Sequence, residues 1–220
     1  MDVVTINGFG RSYRINNPGV GRVGSKLSNR EPYEKRLLVD IYQQGLSGSA
    51  FDVGAHIGNH SLYLAAVCGL KVHAFEPHEP SLQQLEANLA LNPQLDISIH
   101  NWAAGDRETR GRLTPGMWIE FDPSREGDKL KLDRGHIPVH RIDDMLDVED
   151  LVVVKVDVEG MEAQVLAGTS RHLGRSHPIV YAETHTPEAH DETASVLEPL
   201  GYEMTRVLHL GSPMERWQAR

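Results

Sequence analysis

Phe51-Asp52-Val53-Gly54-Ala55-His56-Ile57-Gly58-Asn59-His60 is the stretch that decides the fold. Ser49 to Val53 before it is short, apolar and β-prone, and Ser61 to Val67 after it has helical periodicity. A strand running into a helix through two glycines four positions apart makes a sharp turn that a ligand can approach at the main chain. The amides at the start of the following helix would face that ligand. Asp52, at the carboxyl end of the strand, is the first polar side chain within its reach. The stretch therefore predicts a nucleotide-like ligand held at the edge of an open α/β sheet.

Working outward, Lys71 to Pro77 reads as the next strand, and it ends in Glu76. That acid follows the glycine turn by about 20 positions, the spacing expected of a carboxylate that binds ribose hydroxyls. Pro80 starts a helix carrying Leu82, Leu85 and Leu89 on one face, and Asn92-Pro93 stops it. Ile97 to Trp102 is a third strand, closed by Ala103 to Asp106. Leu151 to Asp157 is a near-continuous β-branched run, as in a parallel strand covered on both faces. Met161 to Leu173 reads as one helix, Pro178 to Ala182 as a further strand, and Glu188 to Leu200 as a helix ending at Gly201. Tyr202 to Trp217 suggests a closing β pair. The alternation of strand and helix predicts a doubly wound, mainly parallel sheet.

The flanks are less regular. Asn7-Gly8-Phe9-Gly10 imitates the opening of an NAD-binding fingerprint, but position 13 is Tyr13 and Asn16 to Gly19 is a turn signal. Asn7-Gly8 reads instead as a hairpin turn, with Ser12 to Ile15 returning. Gly19 to Asn29 reads as a basic loop, and Glu31-Pro32 as the start of a helix bearing Tyr33, Leu37, Leu38, Ile41 and Tyr42. Residues 106–135 read as an irregular or hairpin insertion, with Leu113, Met117, Trp118, Ile119 and Phe121 available for burial. Ile137 to Ile142 reads as an edge strand because Pro138 cannot complete a central ladder. The expected organisation is one domain over residues 1–220, with a hairpin and basic loop over 1–30 and the α/β core over 31–220.

Composition excludes several classes of function. A formal net charge of −9 opposes general nucleic-acid binding. One cysteine, Cys68, rules out a disulfide framework and fits a reducing compartment. No apolar run spans a bilayer and the N-terminus lacks a signal-peptide layout, so the expectation is a cytoplasmic protein without a membrane partner.

Open parallel sheets bind ligands beyond the carboxyl ends of their strands. Those ends carry Asp52, Glu76, Asn101, Asp157 with Glu159, and Glu183 with His185. Each alone reads as a capping group or a solvated charge; their recurrence on successive strands reads as a site. The Asp52-Val-Gly54-Ala-His-Ile-Gly58-Asn59 segment, Phe75-Glu76-Pro77, Asn101-Trp-Ala-Ala-Gly105 and Lys155-Val-Asp157-Val-Glu159-Gly160-Met-Glu162 together resemble the FkbM family of S-adenosylmethionine-dependent methyltransferases. Pro32-Tyr33-Glu34 through Leu37-Leu38 and Glu183-Thr184-His185 also fit that pattern, so the resemblance runs from about residue 31 to residue 185. It implies a class I methyltransferase fold, Rossmann-like, with S-adenosylmethionine as donor and a hydroxyl acceptor on a small metabolite, polyketide or glycan. By position, Asp52, Gly54, Gly58 and Asn59 would form the first donor loop, Glu76 would hold the ribose, and Asn101 and Ala103 would lie against the adenine. Asp157 or His185 would take the acceptor's proton, with Glu159 or Glu183 orienting it. Asp157, Glu183 and His185 are also the candidates for holding Mg²⁺, although no compact ligand motif isolates a metal site. The competing readings are a methyltransferase acting on a nucleic acid or nucleotide-bearing substrate through the basic N-terminal arm, and a non-catalytic donor-binding scaffold. Oligomeric state is left open by the sequence.

Overall fold

The computed structural model describes residues 2–113, 119–121, 135–158, 160–210 and 212–220. Met117, Trp118 and Glu159, named above, lie outside them. The chain forms two compact units, Met1–His100 and Asn101–Arg220.

The first unit opens with β1 (Asp2–Gly8) and β2 (Arg11–Asn17), an antiparallel hairpin in which Gly8 pairs with Arg11. The turn residues are Phe9 and Gly10, both left-handed (φ 48° and 81°), so the turn sits two residues later than Asn7-Gly8. That register sends Ile6, Tyr13 and Ile15 inward, where they pack with Leu27, Leu38, Ile57, Leu62, Tyr63 and Val67. Gly19 to Asn29 is not a loop: α1 spans Gly21–Ser28. Its apolar signal is confined to Val23 and Leu27, one helical turn apart, and Gly21 and Gly24 lie within it, so periodicity alone gives no helix. The next helix, α2 (Lys35–Gln43), begins later than Glu31-Pro32 and buries Leu37, Leu38 and Ile41.

The unit's sheet is parallel. β3 (Ser49–Val53) pairs with β4 (Lys71–Phe75), and β4 pairs with β5 (Ile97–His100). Between β3 and β4 run α3 (Asn59–Tyr63) and a π-helical turn over Leu64–Cys68; α4 (Glu79–Ala90) links β4 to β5. β3 is buried at every position.

The second unit begins with a small sheet in the order β6 (Ala103–Ala104), β9 (Ile137–His140), β7 (Thr109–Leu113), β8 (Ile119–Phe121). β9 is therefore interior rather than an edge. Pro138 is tolerated because β6 reaches only Val139 and His140, so no ladder exists on that side of the proline. The β7–β8 pairing places the expected hairpin within 106–135, and Leu113 packs on Ala103, Ile137 and Val139.

After α5 (Ile142–Met145), β10 (Leu151–Val156) lies parallel to β11 (Ile179–Glu183). The span between them is two helices, α6 (Glu162–Ala167) and α7 (Ser170–Ser176), rather than one. Gly168 makes the break: a Cβ there would stand 1.8 Å from the Gly105 carbonyl oxygen, so only glycine allows the backbones this close. Asp143, at the start of α5, receives the Arg171 and His172 amides. It also accepts the His172 ring N–H at 2.6 Å. The other ring nitrogen of His172 accepts from the Val148 amide, which makes the buried imidazole neutral with its proton on Nδ1. Burial alone would raise the Asp143 pKa, but these hydrogen bonds outweigh it and hold the carboxyl below its ordinary value.

α8 (Pro187–Leu197) starts behind Thr186, whose hydroxyl accepts the Ala189 amide, and a 3₁₀ turn over Glu198–Leu200 leads to Gly201. β12 (Tyr202–His209) and β13 (Pro213–Ala219) close the chain as the expected antiparallel pair, with β13 against β11. Parallel strands, crossover helices and antiparallel closing strands make this a Rossmann-like α/β fold. No helix among the described residues is long and apolar enough to cross a membrane.

His100 ends β5, with its ring stacked on Phe75 and its Nε2 3.1 Å from His73 Nδ1. Burial first, and the neighbouring His73 second, push its pKa down from 6.5 to about 4. The unfolded chain takes up this proton near the ordinary value while the folded chain does not. His100 thus contributes stability that is complete above the unfolded pKa and is lost as pH falls toward the folded one. Thermal unfolding followed by circular dichroism should give a melting temperature that drops from about pH 7 to about pH 5, with a shallower drop in His100→Asn. Identical slopes in the two proteins would disprove this assignment.

Candidate active site

The site-bearing part of the first unit is the joint between the ends of β3 and β4. The Gly54 and Ala55 amides both donate to the Phe75 carbonyl, at 3.1 and 3.0 Å. Gly54 turns with φ 81°, and His56 follows in the left-handed region at φ 51°, a conformation that a branched or bulky residue resists. What holds His56 there is Glu76. Its Oε2 accepts the His56 amide at 2.7 Å, and its Oε1 accepts the His78 amide at 2.8 Å. Glu76 is buried, so both of its oxygens are fixed in direction. A carboxylate offers about four acceptor positions, so these amides and a pair of vicinal hydroxyls are compatible on one side chain.

Gly58 closes the loop. Its amide donates to Ala55 at 2.8 Å, its φ is 87°, and a Cβ would meet Leu85 Cδ1 at 2.5 Å. Asp52 is wholly buried and accepts the Ser61 hydroxyl at 2.5 Å, which ties the end of β3 to α3. Asn59 is committed to the chain before α2: its side chain donates to the Tyr33 carbonyl and accepts the Tyr33 amide, at 3.1 and 3.0 Å. The structure thus brings Asp52, Gly54, Gly58, Asn59 and Glu76 together, with Asp52 and Asn59 shaping the loop from behind. His60 Nε2 stands 3.3 Å from Glu34 Oε2.

Two groups in this region escaped the sequence reading. Asn88 donates to the Ile57 carbonyl and accepts both the backbone and side-chain amides of Asn16. Asn92 exchanges hydrogen bonds with the Arg14 backbone. Asn88 on α4 and Asn92, two residues past its end, are both buried, and that four-residue spacing of amides was the available signal. The basic arm also has a structural use. Arg11 donates to the Val67 carbonyl and Arg14 to the Leu91 carbonyl, so these two guanidiniums dock the hairpin.

In the second unit, Asn101 is exposed and Ala103 is buried in β6. Asp157 follows β10, with Oδ2 3.5 Å from the ammonium of the buried Lys155. Lys155 pairs in register with Tyr181, so Lys155 and Glu183 project from the same face of their strands. Glu183 is buried and stands 2.9 Å from His185 Nε2, while His185 keeps 34% of its side chain exposed. Glu162 receives the Val158 and Gly160 amides, so it clamps the turn after β10 instead of facing a ligand. Burial, the largest influence, raises its pKa. Among the described residues no group of three or more acidic, His or Cys side chains is placed to hold a metal ion.

The fold and this loop define a Rossmann-like protein of the class I methyltransferase type. The Methyltransferase FkbM domain matches residues 52–204, more than half of the chain, and the protein belongs to that family. Among solved structures, the chain is similar to an FkbM methyltransferase from Methylobacillus flagellatus KT at 21% identity and a TM-score of 0.57. That match covers 78% of this chain and 43% of the other. It is also similar to the Pyrococcus abyssi tRNA (uracil-54, C5)-methyltransferase in complex with S-adenosyl-L-homocysteine, at 15% identity and a TM-score of 0.53, covering 99% of this chain and 44% of that one. At these identities the likeness speaks to the fold, and the chain spans under half the length of either structure. No curated protein matches the chain.

Gly58→Ala forces an alanine into the left-handed region and against Leu85. It should lower the unfolding free energy by about 1–3 kcal/mol, read as a lower urea midpoint at unchanged m-value. An unchanged midpoint would show that the loop relaxes without cost.

Proposed function

We propose that the protein is an S-adenosylmethionine-dependent methyltransferase acting on a hydroxyl of a small metabolite, polyketide or glycan. The observation that carries the donor assignment is Glu76, a buried carboxylate aligned by the His56 and His78 amides beside the Gly54–Gly58 turn. Ionised oxygens held in this way suit the paired hydroxyls of a ribose. The Gly54 backbone, without a Cβ, suits close approach of the rest of the donor.

The donor, when bound, supplies an electrophilic methyl group on a sulfonium. This chain's residues then have to present an acceptor oxygen in line and remove its proton. Glu183 and His185 support that role. With Nε2–H donated to the buried Glu183 carboxylate, the His185 imidazole is oriented and can take a proton at Nδ1. Asp157, with its Oδ2 3.5 Å from the Lys155 ammonium, is the alternative base, and Glu183 then orients the acceptor. No step here calls on Mg²⁺. The nucleic-acid reading loses support from Arg11 and Arg14, whose guanidiniums hold the hairpin, and from the net charge of −9.

Isothermal calorimetry with S-adenosylhomocysteine should show binding that Glu76→Ala weakens by about 100-fold, the loss of two charge-assisted hydrogen bonds. No binding by the unaltered protein would sink the donor assignment. Incubation with methyl-labelled donor and pooled hydroxylated metabolites and glycans should place label on an oxygen. Label appearing only on amines or on RNA would reject the O-directed reading.

A further inference from the structure

Glu34 precedes α2 in the left-handed region, with φ 54°, outside the range a glutamate prefers. The Asn59 clamp on Tyr33 holds the chain at this point. The Glu34 side chain is only 4% exposed, and its Oε2 lies 3.3 Å from Nε2 of His60, itself 9% exposed. Among the described residues neither atom has a hydrogen-bond partner of proper geometry. A buried carboxylate oxygen without a donor is costly, and in a native protein it calls for an explanation.

Its surroundings supply one. His60 lies two residues past Gly58, so the carboxylate stands against the first turn of the helix that the donor loop opens. With the His60 ring proton on Nδ1, the carboxylate oxygen and the imidazole nitrogen are two acceptors side by side, suited to a cation that brings its own N–H groups. A hard divalent ion would require more oxygen ligands than this. The donor assigned above carries such a cation, the primary ammonium of its amino-acid arm.

We propose that Glu34 is the acceptor for the donor's α-ammonium, with His60 Nε2 as a second acceptor. This rests on the donor reading given above. An N⁺–H···O⁻ bond satisfies the buried oxygen and fixes the amino-acid arm at the end of the loop opposite to Glu76 and the ribose. Strain at Glu34 then belongs to ligand positioning, where such backbone conformations concentrate.

Calorimetry with two probes tests this. S-adenosylhomocysteine carries the amino-acid arm; 5′-methylthioadenosine keeps the nucleoside and lacks it. Glu34→Gln, an isosteric change that removes the charge, should weaken S-adenosylhomocysteine by about tenfold or more and leave methylthioadenosine within about twofold. Glu34→Asp should recover part of the loss. On the unaltered protein, the S-adenosylhomocysteine analogue lacking only the α-amino group should bind about tenfold more weakly than its parent, which guards against a folding defect in the variants. Equal weakening of both probes by Glu34→Gln, or none, would overturn the proposal while leaving the donor assignment standing. Failure of the unaltered protein to bind S-adenosylhomocysteine would overturn both.

Discussion

The hydrogen bonds from the Glu76 carboxylate to the His56 and His78 amides are the constraint on which the rest of the site depends. A loop with glycines at both ends has many conformations in the unfolded chain, and something has to select one. The Phe75 carbonyl fixes the start of the loop through Gly54 and Ala55, and Glu76 fixes its crest at His56. Phe75 at the end of one strand and Glu76 just past it thereby shape the turn that follows the neighbouring strand. Since β3 and β4 are parallel with Val53 opposite Phe75, the register of the sheet decides whether these groups meet. A slip of one residue would turn Glu76 to the other face. The precision of the candidate donor site is thus inherited from strand pairing and the burial of β3.

The second unit solves a different problem, that of keeping ionisable groups in and beside its sheet without leaving them uncompensated. Lys155 and Asp157, Glu183 and His185, and His190 and Glu215 each place a positive or protonatable group within 3.5 Å of a carboxylate. Glu215 additionally accepts the Trp217 indole N–H. The pairs differ in exposure, and exposure separates their uses. Lys155 is sealed into the strand face and anchors, whereas His185 reaches solvent and can exchange a proton.

Much of the fold was legible because its signals are local: the alternation of β-branched runs with helical periodicity, the Gly54–Gly58 turn, and the Gly201 stop after α8. Three of the misses share a cause, since each depended on contacts distant in sequence. α1 is stabilised by burying Leu27 in the hairpin core, although its own sequence favours a loop. The helix expected over Met161 to Leu173 is interrupted because Gly168 meets Gly105, far away in the chain. β9 escapes the usual limit on proline because β6 is too short to contact it there. At the site, residue types and spacing marked Glu76 and the loop glycines. They could not show that Asp52 turns inward to Ser61 or that Asn59 serves Tyr33, because side-chain direction is settled by packing.

Asn88 binds Ile57 in the loop with its amide nitrogen and Asn16 in the hairpin with its oxygen. One side chain therefore works as a rivet through three layers, and the N-terminal hairpin becomes a buttress for the donor loop. A boundary drawn at the first residue of the family match, Asp52, would cut through β3 and discard the hairpin, α1 and α2. The region by which this protein is recognised is smaller than the region it needs to hold its loop in shape.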